Sequence, residues 1–487
     1  MKYLPYVSLL IAVPTLATGL SCAEEKTDFE PKTLEEDQGF AEDFDPYGQS
    51  GGDDFATIVD LADWSTENRT STIRILDLTN HETVWSMRFT EEEEEGLILD
   101  AQIVGSHIAS LMFGSLLINE SDASYADKYL SFINADHEFE QSISLGIPPS
   151  EQGSGTRSDP HRGEVHHSLA GSEYDADNNV AVIMRTGNIA ASEYPNPDPN
   201  VDFVLTDSIS MIVYPKSLEW SEDPEEIEIL RLHEIIADPN IVEDDIEEPN
   251  GQFVAFELFH ANGLRYLGMD SGQHEYLISL ARINAILRFV LPSDLSGQAE
   301  VTGLYFGAES SAEVIELFTE SSYYQSNPYP IYTDQRGIVR DTSSDAALVN
   351  AFTFQHGPDL GGANLEVMGV FSNNTASTDI VGYSQAVVFA VDNASEGYSA
   401  QSWTDVDMIV HSFGAVTLIE DEDKNVVGGI TSTGVNGQIQ IWQLTNTPAH
   451  DQMTVGMDIQ YEEVFDFGHI LPGEPEVYTE ISEFVTY

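Results

Sequence analysis

Residues 253–282 read FVAFELFHANGLRYLGMDSGQHEYLISLAR, and the reading of this stretch decides the fold. Alternating apolar and polar residues carry the chain to His260, a polar turn follows at Asp270-Ser271-Gly272-Gln273, and an apolar run returns to Arg282. Alternation interrupted by a short polar turn describes a β-hairpin, because successive side chains of a strand face opposite sides of its sheet. Two further passages share this grammar: Val165-His166-His167-Ser168 leading to Met184-Arg185, and Phe354-Gln355-His356-Gly357 leading to Gly369-Val370-Phe371. Three histidine-led hairpins about 90 residues apart point to a closed repeat whose imidazoles converge near its axis.

Outward from these hairpins, short strands broken by Gly, Asn, Asp and Pro dominate from Phe55 onward. Thr72–Asp77, Leu97–Val104, His107–Phe113, Tyr129–Ala135 and Phe139–Ser144 read as strands. Val180–Arg185, Ser208–Tyr214, Val301–Phe306, Glu366–Phe371, Ala386–Val391, Val416–Ile419 and Gln438–Leu444 read likewise. They leave no room for crossover helices, so the chain is all-β. The one helix expected is Pro224–Ile236, which opens with acids as a helix start does, in an insertion at about 219–250 between blades. Some six four-stranded sheets of about 70 residues fill the length, and a six-bladed β-propeller over residues 55–487 closes them without a long exposed edge.

Composition narrows the partners. The chain has 487 residues with 84 acids against 18 bases, a formal net charge of −66, and only six of those bases are lysines. Nucleic acid is excluded, since phosphate binding needs clustered Lys and Arg. Such a surface reads as halophilic, because concentrated salt screens its self-repulsion. A Ca²⁺-gathering surface would need acidic loops of the D-x-D-x-D-G type, and no loop here matches that pattern.

At the N-terminus Lys2 precedes an apolar run from Tyr3 to Leu20, which reads as a signal peptide over residues 1–21. Cys22, the protein's single cysteine, follows Gly19-Leu20-Ser21 in a lipobox-like setting, with the leucine two residues before the cysteine rather than three. Lipidation there would anchor the chain in a bacterial cell envelope, and the acidic, Pro- and Gly-containing residues 22–54 would form a disordered tether.

The histidine hairpins also resemble the PAPS-independent arylsulfotransferase family of cell-envelope propellers. The family's His-His-Asp before an Asn-Gly-Asn turn appears as His166-His167-Ser168 before Asp177-Asn178-Asn179. Its His-x-Asn and Ser-Ser-Arg appear as His260-Ala261-Asn262 and Leu280-Ala281-Arg282, and its Gln-His-Asp as Gln355-His356-Gly357. Its Ser-Arg-Ala-Val-Glu-Tyr strand and final Gly-Ser-Ala appear as Ser384-Gln385-Ala386-Val387-Val388-Phe389 and Phe413-Gly414-Ala415. The resemblance implies sulfuryl transfer from an aryl sulfate to a phenol through a sulfohistidine, without a cofactor. It implies His356 as nucleophile, with His167, His260 and Arg282 contacting the sulfuryl oxygens and steadying the leaving phenolate. Asn262, His166 and Ser412 are expected to help bind substrate.

The chemistry independently suits these residue types. A sulfuryl group in transfer spreads negative charge over its oxygens, so fixed donors stabilise it, and imidazole can donate, accept or attack near neutral pH. Few bases on so acidic a chain would make any cluster of them a small cationic island. Departures from the family pattern matter: Ser168 and Gly357 replace carboxylates that would orient imidazoles, and Gln385 replaces an arginine. Strand alternation sends only one of His166 and His167 inward, and Arg282 could instead be an inter-blade ion-pair partner. A three-histidine metal site is disfavoured by Arg282 beside it. His81, His107, His137, His233, His274, His450 and His469 lie outside the motifs and are expected at the surface or in turns, while Trp85, Trp220 and Trp442 are expected to pack blades. The alternatives to an enzyme are an inactive propeller lipoprotein that binds an anionic or aromatic ligand or a protein partner, and a purely structural envelope protein.

Overall fold

The computed structural model describes residues 55–62, 70–90, 97–113, 128–134, 138–147, 151–197, 199–221, 224–239, 246–247, 254–270, 272–292, 297–307, 312–334, 355–372, 385–394, 397–405, 414–421, 423–432, 438–445, 457–464 and 478–485. The expected signal peptide, Cys22 and the acidic tether lie outside these residues.

Six blades form the ring. Blade 1 joins β1 (Phe55–Ala62), β2 (Thr70–Asp77) and β3 (Glu82–Thr90) to β27 (Tyr478–Val485), which pairs antiparallel with β1. The last strand thus completes the first sheet and closes the ring on itself. Blade 2 is β4 (Leu97–Val104), β5 (His107–Phe113), β6 (Lys128–Ile133) and β7 (Phe139–Ser144). Blade 3 is β8 (His161–Glu173), β9 (Asn178–Ala190), β10 (Phe203–Pro215) and β11 (Glu226–Arg231), extended along β10 by β13 (Val254–Glu257) with the two-residue β12 (Ile246–Glu247) beyond it. Blade 4 is β14 (Ala261–Asp270), β15 (Gln273–Leu280), β16 (Ala285–Val290) and β17 (Glu300–Phe306). Blade 5 is β19 (His356–Gly361), β20 (Val367–Ser372), β21 (Gln385–Asp392) and β22 (Gly397–Asp405), and β18 (Ile331–Asp334) pairs in parallel with both β17 and β22, joining the rims of blades 4 and 5. Blade 6 is β23 (Ala415–Glu420), β24 (Val426–Ser432), β25 (Gln438–Leu444) and β26 (Met457–Val464). The inner strands β27, β4, β8, β14, β19 and β23 neighbour one another in that order.

Neighbouring blades cover the faces of the inner strands, so β20 is buried throughout, whereas the outer strand β7 is mostly exposed. Each junction holds its own apolar core. Leu277, Ile286 and Tyr305 of blade 4 pack on Met368, Val387 and Phe389 of blade 5, and Val367 and Phe371 pack on Val416 and Trp442 of blade 6. Trp85 and Trp442 are buried blade-packing residues as expected. Polar stitches cross the junctions near the axis. Asp100 accepts from the Leu169 amide at 2.6 Å and the Ala101 amide at 2.8 Å. Three blades further round, Asp359 repeats this with Leu418 at 2.8 Å and Leu360 at 2.9 Å. A carboxylate accepting two backbone N–H groups satisfies inner-strand donors that have no sheet partner.

The helix expected over Pro224–Ile236 is absent. Glu226–Arg231 is β11, followed by a 3₁₀ turn at Leu232–Ile235. Ile227 and Ile229 alternate with Glu226 and Glu228, a period of two that the acid-rich opening disguised as a helix start. Glu226 belongs in the sheet because it faces the buried Arg185, whose Nε donates to it at 2.6 Å, and Arg162 at 2.8 Å. The short helices lie elsewhere, α1 (Ala312–Thr319) and α2 (Ser322–Ser326), between β17 and β18. Three histidines expected at the surface are instead core residues: His107, His233 and His274 are 1%, 3% and 5% exposed. His107 sits among Phe132 and Tyr214, with Nε2 3.2 Å from the Tyr214 hydroxyl, and burial pushes its pKa down to about 4.

Candidate functional site

The three histidine hairpins are the inner hairpins of three consecutive blades, β8–β9, β14–β15 and β19–β20. The middle one assembles most of the site. Its ladder ends with Ala261 opposite Leu280, and two more backbone bonds extend the closure: Ala281 N–H to the His260 carbonyl at 3.3 Å and Arg282 N–H to the Phe259 carbonyl at 3.0 Å. His260 and Arg282, 22 positions apart in sequence, are therefore held side by side. His260 adopts a left-handed backbone with φ 49°, a conformation that non-glycine residues occupy sparsely and that clusters at functional sites.

Two carboxylates that the sequence reading missed complete the cluster. Parallel pairing of β13 with β10 places Glu257 beside Leu205, two residues from Asp207. His260 Nδ1 lies 2.9 Å from Glu257 Oε1, and Arg282 Nη1 lies 3.7 Å from Glu257 Oε2. His166 Nε2 lies 3.0 Å from Asp207 Oδ1, while Asp207 Oδ2 accepts from the Ala261 amide at 3.2 Å. The Arg282 guanidinium also sits 5.4 Å from the centre of the Phe256 ring. The expected cationic island is thus a mixed-charge cluster in which carboxylates face His166, His260 and Arg282. A signal for both acids was present in the sequence. Each is the one charged residue of an otherwise neutral strand stretch, VAFELF and FVLTDSISMIV, and a strand carboxylate facing the interior needs a cationic or donor partner.

The ionisation states follow from these contacts. Burial pulls the His260 pKa down, but the hydrogen bond and charge of Glu257, with the charge of Asp207, outweigh it and lift the value above normal against the opposing Arg282. Burial likewise pushes Glu257 up, yet its hydrogen bond from His260 and the charges of His260, Arg282 and His166 leave it below the usual carboxylate range. The result is a carboxylate held between a guanidinium and an imidazole whose hold on its proton is strengthened.

His166 lies where β8 bulges. Register shifts on either side of Val165 leave His166, His167 and Ser168 out of the regular pairing with β9. A bulge re-aims side chains, so the alternation rule that was to choose between His166 and His167 does not apply there. His166 joins the cluster; the side chain of His167 lies outside the described residues, as does Ser412.

His356 opens β19 and is 4% exposed. Asn262 Nδ2 lies 3.2 Å from His356 Nε2, linking blades 4 and 5. Gln355 fixes the strand from behind: its Nε2 donates to the Ala285 carbonyl at 2.7 Å and to Ser279 Oγ at 3.2 Å, and Ser279 Oγ donates to the Gln355 carbonyl at 2.9 Å. The two departures that remove a carboxylate also have structural reasons. Ser168 Oγ accepts from the Gly263 amide at 3.1 Å, joining blades 3 and 4. Gly357 has φ 41°, and a Cβ there would overlap Ala415 and lie 3.0 Å from the Gly414 carbonyl oxygen. At this junction no aspartate fits at position 357.

Among the described residues no group of three or more His, Cys, Asp or Glu is arranged to hold a metal ion, and no helix is long and apolar enough to cross a membrane. Fold and site together define a six-bladed propeller with a histidine, arginine and carboxylate cluster where its inner strands meet. No protein-family model and no curated protein matches the chain. Among solved structures it is similar to a hypothetical selenium-binding protein from Sulfolobus tokodaii, at 12% identity over 90% of this chain and 94% of that one, with a TM-score of 0.36. It is also similar to a periplasmic gluconolactonase from Pseudomonas aeruginosa, at 10% identity over 88% and 100%, with a TM-score of 0.35.

Proposed function

We propose that the cluster is the active site of a sulfuryl transferase that moves a sulfuryl group from an aryl sulfate to a phenol through His356. The observation that carries this reading is the Asn262–His356 contact at 3.2 Å, two residues along the chain from the His260–Glu257–Arg282 cluster. With the Asn262 amide donating, His356 Nε2 is the lone-pair nitrogen of a neutral ring. In the first half-reaction Nε2 attacks sulfur, the S–O bond to the aryl group breaks, and the leaving phenolate takes a proton from the His260 imidazolium. The Asn262 donor shifts to a sulfuryl oxygen, and Arg282 balances the charge on the others. In the second, the acceptor phenol returns its proton to His260, its oxygen attacks sulfur, and the S–N bond to His356 breaks. Proton transfer of this kind contributes about 10²–10⁴-fold.

The test is release of phenol from a chromogenic aryl sulfate in molar salt, with an added phenol as acceptor. Wild type should turn over and leave a sulfuryl adduct on the His356 peptide, and His356→Ala should do neither. Absence of turnover with several donors in folded protein overturns the reading. The deep burial of His356 favours a second reading, a non-catalytic propeller that binds an anionic or aromatic ligand at the same cluster. It is marked by ligand-dependent thermal stabilisation without an adduct. Under either reading we propose an envelope lipoprotein anchored through Cys22.

A further inference from the structure

Resting on the reading of the cluster as an oxyanion site, we propose that Glu257 and Asp207 are specificity-determining residues that restrict its occupant to a singly charged oxyanion and exclude phosphate monoesters. Sulfate and phosphate monoesters share a tetrahedral centre, similar size and three outward oxygens, so shape separates them poorly. Charge separates them well: a sulfate monoester carries one negative charge, whereas a phosphate monoester approaches two above its second pKa of about 6.

The described charges around the cluster are His166, His260 and Arg282 against Asp207 and Glu257. With both carboxylates ionised, the set is neutral or carries one positive charge, according to the state of His166. Glu257 faces both His260 and Arg282, so the two groups that meet a ligand's oxygens are already partly compensated. A site built for a dianion would leave such cations uncompensated, and here Glu257 faces both of them while the buried Asp207 faces the neighbouring His166. The surrounding net charge of −66 adds to the bias against a second negative charge.

The experiment is equilibrium titration by calorimetry of phenylsulfonate and phenyl phosphate in molar salt at about pH 6.5. There the phosphate is mostly doubly ionised and an ordinary imidazole is about half charged. Phenylsulfonate has a C–S bond and cannot donate a sulfuryl group, so binding is read apart from turnover. Wild type should bind phenylsulfonate about tenfold more tightly or better, the scale of one extra unit charge near a partly buried carboxylate. Glu257→Gln keeps an acceptor for His260 Nδ1–H and should shrink that ratio to about threefold or less, chiefly by improving phosphate binding. Asp207→Asn should act in the same direction, and it carries the test if Glu257→Gln does not fold. Equal or tighter phosphate binding by wild type, no binding of either ligand, or an unchanged ratio in a folded variant overturns the proposal. If discrimination holds while no aryl sulfate is turned over, the transferase reading fails and the charge filter stands.

Discussion

Asn262 Nδ2 and His356 Nε2, 3.2 Å apart, form a side-chain bond between the inner strands of two neighbouring blades. With the Asn262 amide nitrogen donating, the imidazole presents its lone pair at Nε2. Asn262→Asp would place a carboxylate there, favour the imidazolium and remove the nucleophile. We expect a loss of about 10–100-fold in aryl sulfate turnover at neutral pH, in line with other residues that orient a reacting group. The acid limb of the kcat/KM profile should also move to higher pH. A uniform loss across pH would show that Asn262 only packs.

Gly357 tests whether the missing carboxylate was lost to chemistry or to geometry. Its φ of 41° and its contact with Ala415 argue for geometry. Gly357→Asp should lower stability by about 1–3 kcal/mol through overpacking, with no gain in turnover. Denaturant unfolding of the variant against wild type measures this. An unchanged midpoint accompanied by faster turnover would mean that the aspartate is accommodated and orients His356.

The Glu257–His260 pair gives stability a defined pH window. The folded-state pKa of His260 is raised from its ordinary 6.5, so its contribution is complete below that value and is lost as pH rises through the folded value. The pKa of Glu257 is depressed from 4.5, so its contribution is complete above that value and is lost as pH falls through the folded one. Both are present together between about 4.5 and 6.5. In Glu257→Gln the melting temperature should fall most inside that window and less outside it. A fall of equal size at all pH values would show that the pair's charges do not contribute.

The sequence showed the blades more clearly than the site. The strand Ala386–Val391 was legible because burial on both faces makes it a continuous apolar run, and Gln438–Leu444 because its glutamines alternate with apolar residues over most of its length. His260 and Arg282 were legible together because a single hairpin returns one to the other. Glu257 and Asp207 were not, since they reach the cluster through the parallel pairing of β13 with β10, which no local pattern encodes. Alternation could not choose between His166 and His167 for a related reason: a bulge in β8 breaks the period of two on which that choice depends. Glu226 was misread because acids in a strand and acids at a helix start look alike until their partners Arg185 and Arg162 are known.

The net charge of −66 predicts the response to salt. Arg162, Arg185, Arg265, Arg282, Lys216 and Lys424 each already face a carboxylate, so internal bases add little further compensation. The remaining repulsion must be screened by solution cations. The Debye length falls from about 10 Å at 0.1 M to about 3 Å at 1 M, shorter than most separations between surface charges. Self-repulsion destabilises a compact state more than an expanded one, so screening should favour the folded ring. Scanning calorimetry between 0.1 and 2 M NaCl should therefore show the melting temperature rising on the order of 10 °C. Sodium chloride is the salt to use, because sulfate or phosphate would also strengthen apolar burial and confuse the two effects. A flat or falling melting temperature would mean that the acids are compensated within the fold, and the salt-adapted reading of the surface would have to be abandoned.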